Sequence, residues 1–104
     1  GIEKAEGGQT VAEIFGNKSD LKGKQVTVRG KVVKFNPEIM GKNWIHLQDG
    51  TGETGSNDLT VTTDTTAEVG DTVVATGTLS LDKDFGYGYQ YDVIVEDAQV
   101  TVEN

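Results

Sequence analysis

The sequence predicts an all-β domain, a small five-stranded barrel entered through one short helix. Two observations carry the prediction. Val and Thr recur at alternating positions along much of the chain, the period-2 pattern of strands with one buried face. Glycine is abundant, at 14 residues against a single proline, and falls between those segments as turns would. About five such segments fit, fewer than the roughly seven strands a β-sandwich needs.

Residues 1–9 show no periodic pattern and are expected to form a flexible N-terminal segment, which places the folded domain at residues 10–104. Thr10-Val11-Ala12-Glu13 matches a capping box, with Thr as N-cap and Glu three residues on. Val11, Ile14 and Phe15 then give an apolar stripe for about two turns, and Gly16-Asn17 is a helix stop. The first strand is expected over Gln25–Phe35, with Val26, Val28 and Val32 on one face and Thr27, Arg29, Lys31 and Val33 on the other. Gly30 inside it marks a bend of the kind that coils a strand around a barrel. Residues 36–43 read as a loop holding the only Pro and the only Met.

Trp44–Gln48 is the second strand, with Ile45 and Leu47 facing one way and Trp44, His46 and Gln48 the other. Asp49-Gly50-Thr51-Gly52 reads as a hairpin turn; with no Lys and no following helix it is not a phosphate loop. The third strand is Leu59–Thr63. Residues 64–70 form a connector with room for one helical turn. Thr72–Leu81 is the fourth strand, residues 82–88 a loop, and Tyr89–Glu103 a fifth strand broken near Glu96-Asp97. Little room is left for crossover helices, so the barrel is expected to be antiparallel and Greek-key.

Composition narrows the function. With no cysteine, disulfides, thiolate nucleophiles and Cys-based zinc sites are excluded. One His cannot make a His-rich zinc site, and no nucleophile–base pair stands out, so the chain reads as a non-enzyme without cofactors. Asp82-x-Asp84-x-Gly86 lacks the rest of a calcium loop and reads as a turn. The formal net charge is −8, unevenly spread: +5 over residues 18–46 and −11 over residues 47–104. A basic side and an acidic side follow, while bulk acidity argues against phosphate binding. No apolar run approaches the roughly 18 residues of a membrane span.

Three stretches carry a resemblance. They are Val26-x-Val28-x-Gly30-Lys31-Val32, Trp44-Ile45-x-Leu47-Gln48-Asp49-Gly50-Thr51-Gly52 and Val69-Gly70-Asp71-x-Val73-x-Ala75-x-Gly77-Thr78-Leu79. Together they resemble oligonucleotide/oligosaccharide-binding (OB) domains, with the first two strands similar to the anticodon-binding type. Residues 39–50 and 81–89 resemble more closely a group of small bacterial OB-fold proteins, often lipoproteins, labelled as nucleic-acid-binding. The resemblance covers roughly residues 10–103. It implies an OB-fold binding module for single-stranded nucleic acid. It also implies a bacterial cell-envelope or periplasmic setting, with a cytoplasmic one as the alternative. The family's lipid-attachment Cys is absent here, so an anchor would belong to a longer precursor.

In an OB barrel the ligand lies across strands two and three, flanked by the loops after strands one and four. This nominates Arg29, Met40, Lys42, Trp44, His46, Phe85 and Tyr87 as ligand-binding residues. Trp44 and His46 are either a stacking platform beside Lys42 and Arg29, or a core plug and an exposed strand residue. Tyr89 and Tyr91 are expected to plug the barrel. Lys22, Lys24, Arg29, Lys31 and Lys34 either track phosphates or form a solvated strand face. Against nucleic acid stands an alternative partner, an envelope protein, peptide or glycan bound through the same face.

Overall fold

The computed structural model describes every residue from Gly1 to Asn104. Strand accounts for 51% of the chain and helix for 10%. Two short helices, α1 (Val11–Gly16) and α2 (Lys18–Leu21), precede five strands: β1 (Gln25–Ile39), β2 (Lys42–Gln48), β3 (Leu59–Thr63), β4 (Thr72–Asp84) and β5 (Gln90–Val102). The strands form one sheet that closes in a ring, in the order β1-β2-β3-β5-β4.

Every neighbouring pair is antiparallel except β3 and β5, which run parallel. This corrects the expectation of a purely antiparallel sheet, and the reason is arithmetic. Directions alternate around an antiparallel ring, so a ring of five strands must contain a parallel pair. The connection between β3 and β4 crosses the ring, and the β4–β5 hairpin returns β5 to lie beside β3.

β1 is shared between two partners. Its first half, from Gln25 to Lys31, pairs with β4, and its second half, from Lys31 to Ile39, pairs with β2. Gly30 sits at the handover, where a Cβ would lie 3.2 Å from Leu47 Cβ and 3.3 Å from Gln48 O. Gly77 is tighter still: a Cβ would lie 2.8 Å from Glu96 O and 2.9 Å from Val95 Cγ1. Breaks in register punctuate β1 (Val32/Lys34 and Asn36/Ile39), β4 (Thr76/Thr78) and the β3–β5 pairing (Val61/Thr63). Such bulges bend strands enough to close a small ring.

Seventeen buried residues fill the interior, including Val26, Val28, Val32, Ile45, Leu47, Val61, Leu79 and Val95. They are the inward positions expected of alternating strands. Val11 and Ile14 of α1 belong to the same cluster and are fully buried. α1 therefore lies against the interior, while Phe15 and Leu21 pack on it partly buried.

Several boundaries differ from the sequence reading. The expected loop at residues 36–43 is mostly strand: β1 and β2 are joined at Met40-Gly41 alone, both at positive φ (54° and 78°), as a two-residue hairpin requires. Pro37 is tolerated because it lies within the second register break of β1, where no ladder donor is needed. The loop at residues 82–88 shortens to 85–89, between β4 and β5. β5 is continuous, and its anticipated break is a bulge at Asp97, φ 52°. α2 follows directly on the expected helix stop, and the connector at residues 64–70 holds no helix.

Residues 1–9, expected to be flexible, pack along β1. Ala5 is buried, Gln9 N donates to Thr27 O, and Thr27 N donates to Gln9 Oε1. Gly8 is required there, since a Cβ would sit 2.3 Å from Thr27 O.

Candidate functional site

The β1–β2 and β4–β5 hairpins meet over one indole ring. Trp44 projects from β2 on the face opposite Ile45 and Leu47, as alternation demands. It is nevertheless only 1% exposed. Phe85 packs edge-on against it at 5.1 Å between centroids, Tyr89 lies tilted at 5.4 Å and Tyr91 stacks at 5.7 Å with 27° between planes. Trp44 Nε1 donates to Ile39 O at 2.8 Å, closing the hairpin on itself. These four rings form an aromatic cluster apart from the interior cluster, which Trp44 does not join.

This arrangement decides between the two readings of Trp44. The ring is not an open stacking platform, because Phe85, Tyr89 and Tyr91 already cover it. It is instead a buried core residue, as the other reading expected, held in its own cluster beside the interior one. Tyr89 and Tyr91, expected inside the barrel, are half-buried against Trp44, and burial among these rings pushes the Tyr91 phenol pKa up, with Tyr89 adding to the shift. Interior burial from β5 begins two residues later at Val93.

Two cations flank the cluster. Lys42 Nζ lies 5.5 Å and Lys83 Nζ 5.6 Å from the centre of the Phe85 ring, within the range of cation–π attraction. Lys83 also pairs with Glu96 at 3.4 Å. The hairpin tips stay open: Met40 is 41% and Tyr87 95% exposed. Tyr87 occupies positive φ (55°) between Gly86 and Gly88, so the turn holds its side chain away from the sheet. Asp84 orders that turn, accepting from Gly86 N and Gln90 Nε2. Gln90 first and Gly86 second hold the Asp84 carboxyl below the usual range.

A cleft of about 210 Å³ runs beside the β4–β5 hairpin, bordered by Asp82, Lys83, Asp84 and Asp92. A second, of about 260 Å³, lies at the β1–β2 hairpin between Glu38, Lys42 and Asp64. The acids of these clefts were not nominated from sequence. They lie in four separate segments; Asp82 and Asp84 neighbour Phe85 in the sequence, while the fold brings Asp92 beside Asp82 and Asp84 and Asp64 beside Glu38 and Lys42.

The other nominated residues stand apart. Arg29 lies on the outer face of β1 opposite Val74 of β4. Its Nε donates to Glu103 Oε1 at 2.8 Å, Nη2 to Glu103 Oε2 at 3.4 Å, and Nη1 to Glu3 O at 3.0 Å. Glu103, held below its usual range chiefly by the Arg29 guanidinium, absorbs the charge that the sequence assigned to a ligand. His46 Nδ1 lies 2.8 Å from Asp58 Oδ1, and Gln48 Nε2 donates to Asp58 Oδ2 at 3.0 Å. These bonds anchor the end of the 49–58 loop to β2. Lys22, Lys24, Lys31 and Lys34 are exposed.

The Asp49-Gly50-Thr51-Gly52 segment opens that loop rather than forming a tight hairpin, and it has a defined task. Asp49 Oδ2 accepts from Val11 N, Thr51 Oγ1 from Ala12 N, and Thr10 Oγ1 from Glu13 N. The first three N–H groups of α1, orphaned in any helix, are thereby satisfied by side chains. No protein-family model matches the sequence, and no curated protein matches it.

Proposed function

We propose that this chain is a non-catalytic OB-fold binding module that recognises a protein or peptide through its paired hairpin tips. The ring order β1-β2-β3-β5-β4, with its parallel β3–β5 pair, supports the OB assignment. The observation that carries the functional reading is the contrast at the hairpins. Trp44 is sealed within an aromatic cluster while Tyr87, on the adjoining turn, stands 95% exposed. An exposed aromatic on a preorganised support is the usual anchor of a protein interface. A glycan is a poorer fit, because the flat face of Trp44 is covered. The resemblance to envelope lipoproteins extends the proposal to a cell-envelope setting.

Selection of peptides from a random display library on the full chain tests the reading. Selected peptides are expected to lose about tenfold or more in affinity on the Met40→Ala/Tyr87→Ala variant. Peptides whose affinity is indifferent to that variant would overturn it.

A second reading, single-stranded nucleic acid, is favoured by one observation: Lys42 and Lys83 both flank the Phe85 ring. It requires saturable binding of oligo(dT) that weakens steeply with salt, measured through the fluorescence of Trp44, the only tryptophan.

A further inference from the structure

We propose that the partner segment docked by the hairpin tips is basic, a stretch of polypeptide carrying Lys or Arg around an apolar or aromatic residue. The inference rests on the peptide-binding reading above and names the chemistry of the partner. Tyr87 and Met40 offer apolar contact, and nothing else in the fold uses the exposed Tyr87 ring. Along the same two hairpins the clefts present five carboxylates, Asp82, Asp84 and Asp92 in one and Glu38 and Asp64 in the other, against Lys42 and Lys83. All five acids are exposed.

The two lysines offset the acids only in part. Both ammoniums are drawn over the Phe85 ring, and Lys83 is further paired with Glu96. Counted with those lysines, the tips carry a charge of −3, five carboxylates less two ammoniums. Asp84 accepts hydrogen bonds from Gln90 and Gly86. A basic segment meets complementary charge here, whereas a phosphate backbone or an acidic peptide meets repulsion.

The test is fluorescence anisotropy on the full chain at about physiological salt, where long-range attraction is largely screened. The probes are a short labelled peptide alternating Arg with Tyr and Leu, the same peptide with Glu at each Arg, and oligo(dT). The basic peptide is expected to bind and the other two are not. Affinity should fall about tenfold in Tyr87→Ala and similarly in Asp64→Asn/Asp82→Asn/Asp92→Asn. It should change less than about twofold in the remote, charge-matched Asp20→Asn/Glu53→Gln/Glu68→Gln variant. Unchanged Trp44 emission in each variant verifies that the aromatic cluster is intact.

No binding of the basic peptide, or equal weakening by the local and remote charge variants, overturns the proposal. If the glutamate peptide binds instead and Tyr87→Ala abolishes it, the basic partner is wrong while the binding surface stands. If peptide binding is indifferent to Tyr87, the surface itself is wrong. Binding of oligo(dT) in place of the basic peptide overturns both in favour of nucleic acid.

Discussion

Trp44 and Tyr87 belong to the same pair of hairpins and have opposite duties. Removing the buried indole leaves a large void and breaks the Nε1 bond to Ile39 O. Trp44→Ala is therefore expected to cost about 3–5 kcal/mol, read as a lowered urea midpoint. Tyr87→Ala removes a ring that touches little and should stay within about 0.5 kcal/mol of wild type. A large loss at Tyr87 together with a negligible one at Trp44 would contradict the packing described here. Gly77 supplies a third residue-scale prediction. Its missing Cβ makes room for Glu96 O and Val95, so Gly77→Ala should destabilise by about 1–3 kcal/mol, measured by thermal unfolding. The need for glycine at this point was hidden in the sequence, since the crowding atoms come from β5, about twenty residues on.

At the scale of elements, α1 is too short to be stable by itself. It is held by burial of Val11 and Ile14 and by side-chain caps from two segments. Thr10→Ala should cost about 1 kcal/mol. Asp49→Ala, which frees the buried Val11 N–H and the Thr51 hydroxyl, should cost about 1–3 kcal/mol. Hydrogen exchange provides the check: amides of α1 should lose protection in both variants ahead of the strands. The Thr10–Glu13 half of this cap was readable from four consecutive residues. The Asp49 half was not, because a 38-residue separation leaves no local pattern. The same limit explains the hairpins. Sequence located both turns but made them too long, since a Pro at residue 37 and glycines at residues 86 and 88 read as loop whether or not the strands continue beside them.

For the whole molecule, the pH dependence follows from four carboxylates held below their usual range. Lys4 is the main cause for Glu13, the Glu68 N–H for Asp71, Gln90 for Asp84 and Arg29 for Glu103. A depressed folded pKa contributes stability that is present above the unfolded value and lost as pH falls through the folded one. The melting temperature is thus expected to hold near neutrality and to fall below about pH 4, the ordinary carboxylate range. Tyr91 acts at the other end. Its raised pKa, caused first by burial and then by Tyr89, contributes stability present below the unfolded value near 10 and lost as pH rises through the folded one. Tyrosinate absorbance rising together with loss of the Trp44 cluster signal is the expected outcome in base. Full ionisation of all three tyrosines with that signal intact would contradict it.

By itself the sequence determined the composition of the ring: five alternating segments, the inward faces of β1 and β2, a capped entry helix and the position of nearly every turn. These are local properties, fixed by side-chain period, by glycine and by the short reach of a cap. Only the tertiary structure decided that β5 lies parallel to β3, that Trp44 is sealed between two hairpins, and that Arg29 is matched to Glu103. The physical reason is common to all three. Each depends on residues distant along the chain coming together when the ring closes, and closure selects partners by shape and charge that no single segment records.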